Sequence, residues 1–337
     1  MKTRTLYFTA PHEVEIREAA LPSPGRGQAL VATTCSAISP GTELLVYRGE
    51  FPQGMPVDAS FPGLSEPFDY PLAYGYAVTG QVLEVGAGVE RAWRGRRVCA
   101  FQPHCSHFVA DISTLHPVPE GTPPERACLL PNMETAVTLV QDAAPVLGER
   151  ALVFGQGIVG LQAVALLHEF PLEALVSVDR HPRRRAASLE LGVTASLDPG
   201  ESGLHAQARE YMPSGADLAL ELSGSPEALD EAIALTAFSG RVVVGSWYGC
   251  KRATLDLGST FHRSRMRLVA SQVSTISPEL SGRWDKARRL DQAWKALDRI
   301  RPERWVTQRF PMEKAAEAYT LLHKTPGEAI QVLLEYS

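Results

Sequence analysis

The sequence lacks the features that would indicate a membrane protein, a secreted protein or a nucleic-acid-binding protein. No apolar run is long enough to span a bilayer. The opening stretch, MKTRTLYFTAPHEVEI, has neither the apolar core nor the small-residue cleavage site of a signal peptide. The formal net charge of -5 comes from acids and bases spread along the chain, which gives no field favouring nucleic acid or an anionic surface. We therefore expect a cytoplasmic protein without a membrane or nucleic-acid partner.

Cysteine is scarce, and its spacing excludes two classes of site. The five cysteines are odd in number and never occur as C-x-x-C, so neither a disulfide framework nor a four-cysteine metal lobe is indicated. They are Cys35, Cys99, Cys105, Cys128 and Cys250. Internal repeats and low-complexity segments are also missing. The thiols are expected to be reduced and mostly structural.

The length and composition that are present predict a globular protein of two domains. A chain of 337 residues is long for one hydrophobic core, and 45% hydrophobic with 21% charged residues is ordinary for a soluble fold. Residues 1 to about 120 are rich in Pro, Gly and short β-like runs. From about residue 150 strands alternate with helices, the pattern of a parallel sheet covered on both faces.

The predicted fold is therefore α/β, with a β-rich domain beside a doubly wound parallel-sheet domain. We expect the β-rich domain to comprise 1–131 and a returning tail, 275–337, and the parallel-sheet domain to comprise 132–274. Within the second domain, Ser225 before Pro226 predicts the start of a helix.

The strongest chemical signal is a glycine motif, VFGQGIVG, directly after one strand and directly before one helix. Gly155, Gly157 and Gly160 have the G-x-G-x-x-G spacing of a dinucleotide-binding, or Rossmann, turn. Asp179 ends the next strand about twenty residues later, where a carboxylate accepts hydrogen bonds from a ribose and repels a 2'-phosphate. A tight turn without a ligand is the alternative interpretation, but the acid in register favours a cofactor.

NAD(H) is the favoured cofactor, and NADP(H) is the alternative. An arginine of the run that includes Arg180 and Arg183 to Arg185 could accept a 2'-phosphate, although a solvated helix face explains the run equally simply. The GSW stretch follows a strand at its carboxyl end, where such folds bind ligands. The predicted cofactor-binding residues are Gly155, Gln156, Gly157, Ile158, Val159, Gly160, Asp179, Arg180, Ser223, Gly245, Ser246 and Trp247.

The order of domains, with AISPGTEL, YPLAYGYAVTGQVLEVGAGV, VFGQGIVG and GRVVVGSWYG, resembles the medium-chain dehydrogenase/reductase superfamily. The resemblance covers nearly the whole chain and implies a GroES-like catalytic domain beside the Rossmann domain. SPGTE, GYAVTG and GRWDKARRL are most similar to the subgroup named for bacteriochlorophyllide dehydrogenase. The resemblance also implies a homodimer paired through RLVASQV, 267–273.

Zinc-using members of that superfamily carry a catalytic metal on two cysteines and a histidine. The positions that match these ligands here are Ser39 or Pro40, Tyr76 and approximately Asn132, which are poor zinc ligands. We therefore expect no metal. A rebuilt site is the weaker alternative, and its members would be Cys35, His104, His107 and Glu134, whose spacing indicates nothing specific. The two histidines are expected instead on or beside a strand, as surface or packing residues.

Without zinc, hydrogen-bond donors must stabilise the charge that hydride transfer creates. We expect three catalytic residues: Tyr76, Thr42 and Asn132. The Tyr76 hydroxyl could donate to an oxyanion or relay a proton, or its ring could simply fill the space of the lost metal site. By resemblance Thr42 exchanges a proton with the substrate oxygen beside the acidic Glu43, although a turn role after a glycine is also open. The Asn132 amide could bind a substrate carbonyl or a loop.

The predicted function is a zinc-independent NAD(H)-dependent oxidoreductase acting on a small molecule. A C=C bond conjugated to a carbonyl, as in an enone, quinone or enoyl thioester, needs the least electrophilic help and is the favoured substrate. A secondary alcohol/ketone dehydrogenase is the first alternative, and a non-catalytic dinucleotide- or quinone-binding protein is the second. The mixed apolar and polar stretch 51–71 predicts a roomy pocket without naming its ligand.

Overall fold

The structure is a computed structural model that describes residues 1–52, 54 and 69–336. Most of the stretch predicted to form a roomy pocket, 51–71, lies outside the described residues. The strands are β1 Lys2–Ala10, β2 Glu13–Ala20, β3 Gln28–Ile38, β4 Leu72–Ala73, β5 Val78–Val85, β6 Arg97–Ala100, β7 His107–Asp111, β8 His116–Pro117, β9 Arg150–Phe154, β10 Ala174–Val178, β11 Ala195–Leu197, β12 Ala216–Glu221, β13 Thr236–Val244, β14 Arg267–Ala270, β15 Val306–Pro311 and β16 Gln331–Glu335. The helices are α1 Pro40–Arg48, α2 Pro124–Ala127, α3 Leu130–Ala143, α4 Ile158–Leu167, α5 Pro182–Leu189, α6 Leu204–Tyr211, α7 Pro226–Ala234, α8 Lys286–Ile300 and α9 Ala315–Lys324.

The chain divides into two compact units. The first unit is Met1–Pro131 with Leu297–Ser337, and the second is Asn132–Ala296. The predicted domains have their boundaries after residues 131 and 274, and the compact units have theirs after Pro131 and Ala296. Residues 275–296 therefore lie in the second unit, later than the predicted partition.

A buried arginine explains this later boundary. Arg289, on α8, is 1% exposed and makes an ion pair of 2.6 Å with Glu134 of α3. Its guanidinium also donates to the carbonyl oxygens of Val273 and Thr275. These bonds attach the segment from 273 to 289 to the second unit.

The first unit is built from mainly antiparallel sheets, in which only the pair β15 and β16 among the described strands is parallel, and its β-rich texture was predicted. A larger sheet has the order β15-β16-β3-β5-β6-β8, with β7 also paired to β3, and a small sheet has the order β2-β1-β4. The long strand β3 pairs with β5, β7 and β16, so the tail strand completes this sheet rather than forming a separate body. Buried Val31, Val78, Val98 and Phe108 form part of the core.

The second unit is a parallel sheet of six strands with the order β11-β10-β9-β12-β13-β14. The order reverses between β9 and β12, which is the switch point where doubly wound folds bind ligands. The strand cores are apolar and buried, including Leu152, Val176, Ala219 and Val242. The predicted α/β fold class is therefore present.

Two elements differ from their sequence predictions for local reasons. Residues 133–147 read as a helix in the sequence, but α3 begins at Leu130, since proline at position 131 is tolerated in a first helical turn. The run RVVVGSW predicts a strand, and β13 begins before it, at Thr236, and passes Ser239 in a left-handed conformation (φ 58°). The helix predicted after Ser225 is present, and the Ser225 hydroxyl accepts a hydrogen bond from Ala228 N.

Within the described ranges, no helix is long and apolar enough to cross a membrane.

Candidate functional site

Two of the three motif glycines are required by the fold itself. Gly155 has φ +88°, and a Cβ atom there would lie 2.6 Å from Leu222 C and Ser223 N. A Cβ atom on Gly160 would lie 1.9 Å from the carbonyl oxygen of Gly155. The tight turn and the close approach of helix to strand therefore explain both residues without any ligand.

The middle glycine is different, because packing does not explain it. Apart from its chain neighbours, a Cβ atom on Gly157 would find no heavy atom of the described residues within 4 Å, and its φ of -71° suits any residue. A missing side chain beside open space is what a closely approaching phosphate requires. The turn therefore fits the pyrophosphate of a dinucleotide.

The residues around Gly157 provide polar groups for such an anion. Helix α4 begins at Ile158, and the N–H groups of its first turn have no acceptor inside the helix. Gln156 is buried, and its Oε1 atom has no hydrogen-bond partner among the described residues. Val159 is half-buried, whereas Ile158 packs in the core. The N–H groups are donors that can bind an anion at the predicted cofactor position, whereas the Gln156 oxygen is an acceptor and does not bind a phosphate.

Asp179 lies just after β10, with its carboxylate fixed by two backbone groups. Its Oδ2 atom accepts from Gln156 N at 2.7 Å, and its Oδ1 atom accepts from His181 N at 2.8 Å. A carboxylate offers about four acceptor sites, so two remain for the hydroxyls of a ribose. The side chain is 6% exposed, and it is thus held ready beside the glycine turn.

The arginines that follow Asp179 include exposed side chains and side chains that are paired within the fold. Arg185 donates to the Asp179 carbonyl at 2.9 Å and pairs with Asp198 at 2.8 Å. Arg180 is exposed and donates to the His181 ring at 3.3 Å. Arg185 is therefore committed to the fold, while Arg180 lies at the surface beside the carboxylate.

The remaining predicted cofactor residues meet at the carboxyl edge of β12 and β13. Ser246 Oγ accepts from Gly224 N at 2.9 Å and lies 3.3 Å from the Glu221 carbonyl. The Ser223 N–H and hydroxyl both donate to the Glu221 carboxylate. Gly245 N donates to the Glu221 carbonyl, and Trp247 follows half-buried. Sequence reasoning missed Glu221 because nothing local distinguishes it from any last residue of a strand.

In the first unit, the structure brings three hydroxyl groups together. The Tyr76 hydroxyl donates to Ser39 Oγ and lies 3.4 Å from Thr42 Oγ1. Ser39 precedes α1, whose first turn contains Thr42, so both hydroxyls sit at one helix start. Burial raises the pKa of Tyr76, against the effect of its two hydrogen bonds, and Glu43 raises it further. At neutral pH Tyr76 is therefore a protonated donor. We call Tyr76, Ser39 and Thr42 the hydroxyl cluster.

The buried carboxylate of Glu43 holds the backbone of the hydroxyl cluster at Ser39. Glu43 is fully buried, and its Oε1 atom accepts from Ser39 N at 2.7 Å. Its Oε2 atom lies 2.9 Å from His104 Nε2 and accepts from the Tyr319 hydroxyl. His104 also contacts Ser36 Oγ at 2.6 Å through Nδ1. Of the two positions expected for His104, surface or packing, the structure has the second, since the ring is fully buried in this network.

Comparison with known proteins adds a family context to this geometry. Residues 159–290, within the second unit, match the family model described as zinc-binding dehydrogenase. The chain is 28% identical over 234 residues to (R,R)-butanediol dehydrogenase of Bacillus subtilis. This alignment covers 61% of this chain and 66% of that protein.

Solved structures match over nearly the full length. An alcohol dehydrogenase (rspB) of Escherichia coli CFT073, complexed with NADH, gives a TM-score of 0.79 at 19% identity over 99% of both chains. A protein of Sinorhizobium meliloti 1021 described as a zinc-binding dehydrogenase, bound to NADP, gives 0.78 at 17% identity over 99% of both chains. The chain is thus similar to dehydrogenases in its sequence, and the solved structures share its fold over nearly the full length. The predicted fold, a GroES-like domain with a Rossmann domain, is confirmed.

The superfamily implies a catalytic zinc, and the side chains at the matching positions do not fit one. Tyr76 and Ser39 are neutral hydroxyls that bond to each other, and zinc sites in proteins use thiolate, imidazole or carboxylate ligands. Asn132 is 3% exposed near the start of α3 and offers only a neutral amide. No step of the proposed mechanism is therefore assigned to a metal.

The alternative metal cluster is not assembled either. Glu134 belongs to the second unit and is bound to Arg289. Burial raises the pKa of Glu134, an effect that the arginine opposes. His107 bonds to Ser106 at 3.1 Å, and Cys35 is buried. Among the described residues no group of three or more His, Cys, Asp or Glu side chains could hold a metal ion.

Proposed function

We propose that this chain is an NAD(H)-dependent oxidoreductase that transfers hydride without zinc to a C=C bond conjugated to a carbonyl. One observation carries the proposal, namely the hydroxyl cluster of Tyr76, Ser39 and Thr42 at the corner where zinc-using relatives hold their metal. The glycine turn and Asp179 of the second unit supply the accompanying cofactor site.

The preference for NAD(H) rests on the Asp179 carboxylate. Its two remaining acceptor sites suit ribose hydroxyls, and its negative charge opposes a 2'-phosphate. Arg185, a candidate phosphate ligand, is already paired with Asp198. Exposed Arg180 is the residue through which NADP(H) would be accommodated if this preference fails.

The hydroxyl cluster determines which reaction the chain can support. Bound nicotinamide supplies or accepts the hydride. Ser39 Oγ accepts a hydrogen bond from the Tyr76 hydroxyl. Such a bond polarises the Ser39 hydroxyl and makes it a stronger hydrogen-bond donor. Among the described residues the Ser39 hydroxyl proton has no acceptor. It is therefore available to a substrate oxygen. Tyr76 can then pass its own proton to Ser39 Oγ, and a proton from solvent restores Tyr76 before the next turnover.

Neutral hydroxyl donors favour the conjugated alkene over a plain ketone. Reduction of a ketone concentrates charge on one oxygen, which zinc stabilises as a Lewis acid in other dehydrogenases. Addition of hydride to the β-carbon of an enone spreads the charge over an enolate, and hydrogen-bond donors are sufficient for that charge. A raised pKa of Tyr76 keeps this donor protonated through neutral pH.

A secondary alcohol dehydrogenase is the second candidate, and a specific match favours it. (R,R)-Butanediol dehydrogenase is 28% identical over its aligned region, and its name indicates a butanediol, a secondary alcohol, as its substrate. In that reaction Thr42, at the start of α1, would exchange a proton with the alcohol oxygen.

A paired-substrate assay tests the proposal. NADH oxidation is followed with 2-cyclohexenone and with cyclohexanone, which differ only in the conjugated C=C. We expect oxidation with the enone alone. Reduction of cyclohexanone would replace the proposal with the second candidate, and NADH binding without either reaction would indicate a non-catalytic dinucleotide-binding protein.

Substitution of Tyr76 tests the role of the cluster. Tyr76→Phe is expected to lower kcat by roughly a hundredfold, the lower range for loss of a positioned proton donor, with unchanged NADH affinity. Tyr7→Phe is the matched control, because Tyr7 lies on β1 and its ring stacks with Arg17. Full turnover by Tyr76→Phe would remove the tyrosine from the chemistry.

The homodimer and the cytoplasmic location also belong to this proposal. Strand β14 is the edge of the parallel sheet, with Leu268 42% exposed, as an interface strand would require. Light scattering of the purified protein tests the dimer, and a monomer would contradict it.

A further inference from the structure

A buried carboxylate at the cofactor edge has no place in the proposed chemistry. Glu221 is the last residue of β12, at the carboxyl end of the strand, and is fully buried. Among the described residues no Lys or Arg pairs with it, so neutral groups satisfy the whole charge. A buried carboxylate is costly unless it is well hydrogen-bonded, and those donors must therefore hold fixed positions.

The donors come from two different loops. Oε1 accepts from Ser223 N at 2.7 Å, from Ser223 Oγ at 2.5 Å and from Gly224 N at 3.1 Å, all in the loop after β12. Oε2 accepts from the Tyr248 hydroxyl at 2.6 Å, in the loop after β13. Burial and the Glu221 charge raise the pKa of Tyr248, which keeps that hydroxyl a donor.

A second bond joins the same two loops. The Gly224 N–H that faces Glu221 Oε1 is shared with Ser246 Oγ, at 2.9 Å, and this bond also connects the loop after β12 to the loop after β13. We call the five residues Glu221, Ser223, Gly224, Ser246 and Tyr248 the Glu221 clasp.

The clasp borders the glycine turn. A Cβ atom on Gly155 would lie 2.6 Å from both Leu222 C and Ser223 N, so the turn rests on the residues that follow Glu221. Asp179 marks the adenosine side of the site, beside β10, and the pyrophosphate turn follows β9. In the strand order β10-β9-β12-β13, the other half of a dinucleotide continues over β12 and β13.

We propose that Glu221 is a positioning residue that holds the loops after β12 and β13, through Tyr248, in the arrangement that binds the nicotinamide half of the cofactor. The inference rests on the proposed NAD(H)-dependent function. It assigns Glu221 and Tyr248 no contact with reacting atoms. Its consequence is that loss of the clasp weakens the nicotinamide half of the site and leaves the adenosine half intact.

Two ligands separate these halves. NADH occupies both, whereas ADP carries only the adenosine and the pyrophosphate. For Tyr248→Phe we expect NADH affinity to fall roughly tenfold, the factor for loss of a hydrogen bond to a charged group, and ADP affinity to change less than about twofold. Asp179→Ala should weaken both ligands. Calorimetric titration of the full chain measures each Kd.

Two further variants complete the design. Glu221→Gln keeps the volume and places a neutral amide against Tyr248, so it should produce the same separation between NADH and ADP. In the Tyr248→Phe background it should add little if the amide oxygen keeps the three bonds that Glu221 Oε1 makes with Ser223 and Gly224, since the two changes then share the Tyr248 interaction. Tyr211→Phe, on α6 with its side chain 37% exposed, is the control with unchanged affinities. Tyr248→Phe decides the matter if Glu221→Gln does not fold.

The outcomes distinguish the clasp from the proposed function. Selective loss of NADH affinity supports the clasp. Equal loss of NADH and ADP, or unchanged NADH affinity with a lowered Tm, would overturn it by making the network purely structural. If the wild-type chain bound neither NADH nor NADPH, the proposed function itself would fail.

Discussion

The glycine turn allows folding and cofactor binding to be perturbed separately. Gly157→Ala adds a methyl group where no protein atom lies within 4 Å and where φ is -71°. Gly160→Ala adds the same group 1.9 Å from the Gly155 carbonyl oxygen. The two variants are chemically identical and three residues apart, so any difference between them reports the surroundings.

For Gly157→Ala, two small terms oppose each other in the stability of the protein. Alanine reduces the freedom of the unfolded chain, which stabilises by about 0.4 to 1 kcal/mol. Alanine is also a poorer residue than glycine before a helix, which costs a similar amount. The free energy of unfolding should therefore change by less than about 1 kcal/mol. Gly160→Ala meets backbone and should lose about 3 kcal/mol or more.

Gly157→Ala should change NADH affinity much more than it changes stability. The methyl group of Gly157→Ala stands where a pyrophosphate approaches, and relief of such a clash costs about 1 to 3 kcal/mol. NADH affinity should fall roughly tenfold to a hundredfold. The measurements are thermal unfolding and a fluorescence titration with NADH. Wild-type affinity in Gly157→Ala would refute the placement of the phosphate, and unfolding comparable to Gly160→Ala would refute the open space.

Three other expectations follow from contacts inside each unit. Gly75→Ala would place its Cβ 2.7 Å from the His104 ring at φ +123°, so Tm should fall by the equivalent of about 1 to 3 kcal/mol, and an unchanged Tm would contradict that packing. Arg289→Leu leaves the Glu134 carboxylate buried without its partner and should cost about 3 to 5 kcal/mol at pH 7. Burial raises the pKa of folded Glu134 above its unfolded value, so the contribution of Glu134 to stability rises as pH falls. The difference in free energy of unfolding between Arg289→Leu and wild type should therefore shrink in denaturation curves measured toward pH 5. A thiol reagent should label one cysteine rapidly in the native protein, exposed Cys250, and all five in denaturant.

Local patterns were sufficient to predict the parallel-sheet unit. Glycines in register with Asp179 require a strand, a turn and a helix in fixed order, and the alternation of apolar runs repeats along 150–244. The Ser225 cap is a local signal of the same kind. These features depend on neighbours within a few residues, and a sequence contains that information directly.

The buried polar networks could not be predicted in this way. His104 and Glu43 are 61 residues apart, and Tyr248 is 27 residues from Glu221. Their partners depend on the register of the sheet and on the pairing of tail strand β16. No local pattern specifies either of these long-range features. The later domain boundary has the same origin, because Arg289 bonds to Glu134 over 155 residues. Burial of a charged side chain is decided by the tertiary fold, since charged residues are rarely buried without partners from elsewhere in the chain.

The hydroxyl cluster lies between these two cases. The replacement of metal ligands by Tyr76 and Ser39 was visible in the sequence through the resemblance. The contact between their hydroxyls, and the carboxylate of Glu43 that fixes Ser39, became visible only in the structure.

The central claim is that hydroxyl groups perform hydride-transfer chemistry without zinc. The most direct measurement is the rate of NADH oxidation with 2-cyclohexenone before and after exhaustive dialysis against a chelator, with zinc content determined on the same samples. The proposed mechanism predicts an unchanged rate in protein that contains no zinc. Loss of the rate on dialysis, with recovery on addition of one equivalent of zinc, would contradict it.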